Sequence, residues 1–247
     1  MPMKKTQFIL TILCSALHLF AQPNNPKLTI THLTGDYYIY TTHNTYEGYK
    51  IPAHGLYLVT DSGVVLIDTP WDTTQFQPLL DSIRFKHGKE VVMCIATHWH
   101  SDRTDGLEYY KQKGIKTYTT KLTDELCKKN DKRRAEVVIE NDTTFHIGQY
   151  TFETYYPGWG HTEDNIVVWF HNERILYGGC LIKGAESRDL GNLEDANVDE
   201  YASTLKRVQR KYPHAKYILV SHHDWRSRKS LGHSLKLARK LTRERKK

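Results

Sequence analysis

The run His98-Trp99-His100-Ser101-Asp102 places three metal-competent side chains two residues apart. Zinc takes imidazole nitrogen and carboxylate oxygen at about 2.0–2.2 Å, and a short loop beyond a strand end aims alternate side chains to one side. His98 and His100 therefore suit one ion, with Asp102 reaching a neighbouring point. Later donors are His161 in Gly160-His161-Thr162, Cys180 in Gly178-Gly179-Cys180, and the pair in Ser221-His222-His223-Asp224. Singly, His161 reads equally well as a hydrogen-bonded structural histidine, and Cys180 as a buried apolar side chain. Their shared position makes the set informative. Each follows a predicted strand, so strands in one sheet can deliver them to one edge.

Sorted by donor type, these residues make two sites. His98, His100 and His161 supply three nitrogens, the ligand count of a catalytic zinc that keeps a position open. Asp102, Cys180 and His222 form a second, softer site. Two Zn2+ ions per chain are expected, and a pair about 3.5–4 Å apart can clamp one reacting group. Zinc lowers the pKa of bound water to about 7, so the implied chemistry is hydrolysis with no side-chain base and no serine nucleophile.

The elements that must position these donors alternate between strand and helix. Residues 27–33, 37–42, 56–60 and 64–68 are rich in β-branched and aromatic types and read as strands. Asp61-Ser62-Gly63 forms a tight turn. Residues 73–87 have helical spacing, with Phe76, Leu79, Leu80 and Ile83 on one side and Gly88 beyond. A buried strand over 90–97 leads into the histidine loop. Short helices are expected at 105–114 and 122–129, and strands at 115–119, 136–140, 144–156, 165–170 and 174–179. A helix over 198–212, a strand over 217–220 and a helix over 230–245 complete the chain. Strands that lead into a repeating strand–helix mixture favour a layered α/β architecture. No repeat or low-complexity linker divides residues 22–247, which read as a single domain.

Composition is that of a globular chain, 39% hydrophobic and 26% charged. Lys4 and Lys5, the apolar stretch 8–20 and Ala21 before Gln22 have the pattern of a signal peptide over residues 1–21, cleaved on export to the periplasm. That stretch is short for a membrane span, and Leu13 precedes Cys14 where a lipid-anchor signal would place a small residue, so no stable membrane anchor is expected. Residues 1–21 carry two lysines and no acid, so the remainder keeps a net charge of +5 from the +7 of the whole chain. Much of that excess lies after Trp225 without interleaved aromatic residues, the pattern of a solvated helix face, and no nucleic-acid partner is expected. Three cysteines remain, an odd number that leaves at least one thiol unpaired, and a metal is one way to protect it.

The runs HWHSD, GHTEDN, GGCLIK and SHHDW together resemble the metallo-β-lactamases of the first class B subclass. The similarity continues through GLYLVTDSGVVLIDTPWD (55–72) and DLGNLEDA (189–196) and covers essentially all of residues 22–247. It implies a four-layer αβ/βα sandwich, with two central mixed sheets, helices on the outer faces and the metals at one sheet edge. It further implies a monomeric β-lactamase that hydrolyses penicillins, cephalosporins and carbapenems and confers resistance to them. Relatives acting on other substrates carry a histidine after the aspartate and bridge the metals with a later aspartate. Here Arg103 and Cys180 stand at those positions.

Several roles come only from the resemblance. Lys183 would pair with the substrate carboxylate, Asn192 would donate to the developing oxyanion, and Asp102 would orient the nucleophile. Arg103 and Asp68 would lie just behind the ligands. His222 is preferred to His223 because Asp224 and Trp225 then fall where the family carries them. Residues 42–50, with Tyr46 and Tyr49, resemble the hairpin that covers the family's active site, although an ordinary surface hairpin turning at Gly48 reads as well. Departures are Ser221, where glycine is usual before the last ligand, and Thr104-Asp105-Gly106, where two glycines are common. Competing readings at this level are a metal-binding module without turnover and a hydrolase of lactones or thioesters.

Overall fold

The structure is a computed structural model that describes residues 27–140 and 142–245. The expected signal segment 1–21 lies outside the described residues. Twelve strands form two sheets among them. The first sheet follows chain order: β1 (Thr29–Thr34), β2 (Tyr37–Tyr46), β3 (Tyr49–Thr60), β4 (Gly63–Ile67), β5 (Val91–Ile95), β6 (Lys116–Thr120) and β7 (Val137–Ile139). Its first four strands are antiparallel and the rest parallel, so it is mixed. The second sheet has the order β12 (Tyr217–Leu219), β11 (Ile175–Tyr177), β10 (Val167–Phe170), β9 (Tyr150–Tyr155), β8 (Thr144–Ile147), with one parallel pair, β11–β12.

Three apolar seams separate four layers. Phe76, Leu79 and Ile83 of α1 (Phe76–His87) and Leu107 and Tyr110 of α3 (Leu107–Gln112) pack on the outer face of the first sheet. Ile39, Leu56, Leu58, Val65 and Ile95 meet Phe152, Val168, Phe170 and Leu219 between the sheets. Tyr201, Leu205 and Val208 of α5 (Val198–Lys211), with Leu231, Leu235 and Ala238 of α6 (Ser230–Glu244), cover the second sheet. Each helix buries one stripe at spacing three and four. The expected four-layer αβ/βα sandwich is the observed fold.

Local differences have local causes. The strand expected over 144–156 is a hairpin, because Gly148 takes φ 53 and folds it into β8 and β9. The strand expected over 37–42 runs on to Tyr46 and pairs residue for residue with β3 through the two-residue turn Glu47-Gly48. Both turn residues have positive φ, 50 and 80, as a tight hairpin with right-handed twist requires. Residues 101–104, read as loop, form a helical turn, α2 (Ser101–Thr104). The remaining helix, α4 (Lys121–Lys129), starts where Thr120 Oγ1 accepts from the Thr123 amide.

One cross-strand contact links the sheet to the site edge. Tyr40 pairs with Gly55, and its ring lies over the glycine so closely that a Cβ there would stand 2.1 Å from Tyr40 Cζ. The Tyr40 hydroxyl then reaches the carbonyls of Ile67 (3.2 Å) and Asp68 (2.8 Å). Tyr40 is 1% exposed and has nowhere to move. Gly55→Ala should therefore lower stability by about 1–3 kcal/mol through overpacking, read from the midpoint of urea unfolding of metal-free protein. Gly232→Ala, in α6 with open space around its Cβ, should be neutral or stabilising.

Candidate metal centre

Donors from both sheets meet at one edge. His98 and His100 follow β5, His161 lies between β9 and β10, Cys180 follows β11 and His222 follows β12. One sheet alone was expected to deliver them. Instead, backbone bonds between the sheets hold the edge together: Ile166 N–H donates to Thr97 O (3.0 Å) and His54 N–H to Ser221 O (2.7 Å). Gly179 turns the chain into Cys180 at φ 54, and a Cβ on it would lie 3.2 Å from Thr97 Oγ1.

The three imidazoles His98, His100 and His161 have ring centroids 4.8–5.2 Å apart and stand nearly perpendicular to one another. One ligand atom from each lies within 4.8 Å of the others. The same holds for His98, Asp102 and Cys180, so the two groups adjoin. His222 Nε2 completes the second group, 3.2 Å from Asp102 Oδ2 and 3.5 Å from Cys180 Sγ. His223 instead turns its Nδ1 toward Ser187 Oγ, 3.2 Å away. Of the two histidines, His222 is therefore the one whose ring faces Asp102 and Cys180.

Hydrogen bonds fix which nitrogen each ring offers. His222 Nδ1 lies 2.7 Å from Pro52 O, and a carbonyl only accepts, so Nδ1 carries a proton and Nε2 faces the cluster. His100 Nε2 lies 2.9 Å from Asp195 Oδ2, which leaves Nδ1 with the lone pair. His98 Nε2 and His161 Nδ1 are buried with no hydrogen-bond partner. Burial, with His100 and Lys183 nearby, pushes the pKa of His98 and His161 well below the ordinary range, so both are neutral donors. Unpaired buried nitrogens are costly, and a cation would satisfy them. Imidazole, carboxylate and thiol together suit zinc.

Asp102 joins the two groups. Its Oδ1 faces His98 Nε2 across 3.9 Å, and its Oδ2 takes two bonds from Arg103, 3.0 Å from Nε and 2.9 Å from Nη2. Burial disfavours the charge, but Arg103 and His222 outweigh it and hold the carboxyl well below its usual range. His222 is likewise opposed by burial, yet Cys180 and Asp102 raise its pKa to about 9 in the metal-free protein, so a bound cation must displace that proton. Arg103 Nη1 continues to Asp68 Oδ2 (3.3 Å), which also accepts from Tyr177 (2.7 Å) and Thr97 Oγ1 (3.0 Å). Asp68 thus supports the centre through Arg103 and Thr97.

Lys183 is buried beside the centre, and burial lowers its pKa despite Cys180 and Asp102 nearby. A Cβ on Gly191 would lie 3.8 Å from its Nζ, so the loop carrying Asn192 passes the ammonium. Asn192 is exposed, and its Oδ1 accepts from Glu194 N–H (2.9 Å), which leaves the NH2 to donate outward. Ser221 is fully buried, with Oγ 3.5 Å from Tyr177. Tyr46 of the hairpin lies 6.4 Å from Trp71, which lies 5.6 Å from the His222 ring, while Tyr49 is 74% exposed. The sequence reading missed Asp195, Tyr177 and His54. No spacing links them to their partners, although Asp195 falls within a run that carried the resemblance.

Residues 54–222 match the metallo-beta-lactamase superfamily model. A metallo-beta-lactamase type 2 of Elizabethkingia meningoseptica is 43% identical over 237 residues, 95% of each chain. Metallo-beta-lactamase IND-1 of Chryseobacterium indologenes is 39% identical over 203 residues, 82% of this chain and 85% of its own. Among solved structures, a metallo-beta-lactamase from Pontibacter korlensis superposes with TM-score 0.83 at 38% identity, covering 86% of this chain and 99% of that one. Metallo-beta-lactamase IND-7 gives 0.84 at 37% identity, over 87% and 99%.

Two outcomes follow from the buried charges. Arg103→Met strands Asp68 and Asp102, and should cost about 3–5 kcal/mol of metal-free stability in chemical unfolding. Asp164, 1% exposed, has no hydrogen bond to either carboxylate oxygen, and burial holds its pKa at about 6 despite the nearby hydroxyls of Thr123 and Thr162. An acid with a raised folded pKa binds more protons folded than unfolded, so stability falls as pH rises from about 4 to 6. Asp164→Asn should remove a loss of roughly 3 kcal/mol, visible when unfolding of both metal-free proteins is compared across that window.

Proposed function

The chain belongs to the metallo-β-lactamase superfamily and is a zinc hydrolase of that family, and on that premise we propose that it opens the β-lactam ring of penicillins, cephalosporins and carbapenems and so confers resistance to them. The observation that carries this reading is the meeting of a tri-histidine group with Asp102, Cys180 and His222, with His98 within ligand reach of both groups. In it, His98, His100 and His161 would hold one zinc and Asp102, Cys180 and His222 the other. Zinc supplies Lewis acidity toward the amide carbonyl and a water acidic enough to attack at neutral pH.

The protein's own residues would do the rest. Asp102, held by Arg103 on Oδ2 and facing His98 through Oδ1, orients the attacking water. Lys183 pairs its ammonium with the substrate carboxylate, and a partly dehydrated site strengthens that pair. Asn192 donates its remaining N–H to the carbonyl oxygen as charge develops there. Water adds to the carbonyl carbon, the C–N bond breaks, and the ring nitrogen takes up a proton. No acyl-enzyme forms.

A second reading, hydrolysis of lactones or thioesters, finds less support. Arg103, which stands where such relatives carry a ligand histidine, is 1% exposed and committed to two carboxylates. The remaining expectations are export to the periplasm after cleavage of residues 1–21, a monomeric state and no stable membrane anchor. The Lys4-Lys5 and apolar pattern supports export. No described helix is long and apolar enough to cross a membrane.

The test is turnover of one member of each antibiotic class by purified protein, with zinc stoichiometry measured alongside. Hydrolysis of all three, abolished by complete chelation and restored by zinc, is expected. Cys180→Ser should retain close to one zinc and lose at least tenfold in kcat/KM, in line with the loss of a ligand or its support. Turnover that survives complete zinc removal would falsify this mechanism.

A further inference from the structure

Residues 52–54 of β3 touch the second donor group from several directions. Pro52 O accepts from His222 Nδ1 (2.7 Å), and His54 N–H donates to Ser221 O (2.7 Å). His54 O accepts from Arg103 Nη1 (3.1 Å) and from the Tyr177 hydroxyl (3.0 Å). The His54 imidazole adds a bond that no backbone group could make: its Nε2 lies 2.7 Å from His223 O. That carbonyl can only accept, so Nε2 carries the proton. Nδ1 must then be the acceptor, and it takes the Thr41 hydroxyl at 2.9 Å. Both nitrogens are engaged, and the tautomer is set from both sides.

The tethered segment needs holding. His223 has φ 69, in the left-handed region that residues with a Cβ rarely adopt. It directly follows His222, so relaxation of His223 would rotate the peptide that aims the His222 ring. His54 is 7% exposed, which leaves water little room to replace its bond. Thr41 is on β2 and His54 on β3, so the hairpin that approaches the site also anchors the His222 loop.

We propose that His54 is a positioning residue: its imidazole, oriented by Thr41, pins the backbone of residues 221–223 so that His222 presents Nε2 beside Cys180 and Asp102. This rests on the reading of Asp102, Cys180 and His222 as the second metal site. Loss of the tether weakens that site selectively, while the tri-histidine group, built on other loops, keeps its geometry.

Titration of the metal-free full chain with cobalt(II) tests this without reference to turnover. A thiolate-to-cobalt charge-transfer band reports the Cys180 site, and ligand-field bands report occupancy of the tri-histidine site. Wild type should develop the thiolate band. His54→Ala should need about 10–100-fold more cobalt to develop it, with the tri-histidine titration unchanged. His54→Gln, which keeps a donor near the ε position, should recover most of the affinity. Thr41→Val frees the ring to adopt the tautomer that cannot donate to His223, and should give an intermediate loss; it carries the test if His54→Ala does not fold. Wild-type cobalt affinity at the thiolate site in His54→Ala and Thr41→Val overturns the proposal, as does equal weakening of both sites. A wild type with no thiolate band overturns the ligand reading itself.

Discussion

A guanidinium almost without access to water organises this edge of the molecule. Moving such a charge from water into protein costs several kcal/mol even after relaxation, and Arg103 sits at 1% exposure. It is tolerable there because Asp102 and Asp68 flank it and His54 offers a carbonyl. Each partner is in turn fixed by something else: Asp68 by Thr97 and Tyr177, Asp102 by His222. A carboxylate with one oxygen locked by Arg103 has one orientation left, and that orientation turns its other oxygen toward His98. The alignment of the two donor groups therefore depends on a buried ion pair before any cation binds.

The sheets supply the frame that this network requires. Parallel β11 and β12 bring Cys180 and His222 out at the same end, and β5 brings His98 and His100 out opposite them. The apolar seam between the sheets sets their separation, and the bonds from Ile166 to Thr97 and from His54 to Ser221 close the edge. No donor comes from the middle of a strand. Loops at strand ends can bend toward a shared point without breaking the ladder, which is why donors spread over more than a hundred residues can meet.

Most element positions were legible because their signals are local, whereas the four-layer order came from the family resemblance. Helix stripes such as Phe76, Leu79 and Ile83, strand runs such as 91–95, and turn residues such as Gly63 and Gly88 act within a few neighbours. His98, His100, Cys180 and His161 were legible for a different reason: metal-binding side chains at strand ends are scarce enough to be read together. The helical turn 101–104 was missed because four residues give no periodicity. The hairpin arms were read short because His43, Asn44, Lys50 and Pro52 are poor strand formers, and pairing across ten positions overrides that preference. His54 and Asp195 were invisible as site residues, since the bonds that give them meaning span 169 and 95 positions.

The three described cysteines are all buried and none is in a disulfide. Cys94 and Cys127 are pushed toward the neutral thiol by burial, Cys127 to about 12. Thiol exchange proceeds through an accessible thiolate, and these two offer neither access nor ionisation. Among the described residues the folded framework therefore contains no disulfide, and assembling it calls for no oxidant.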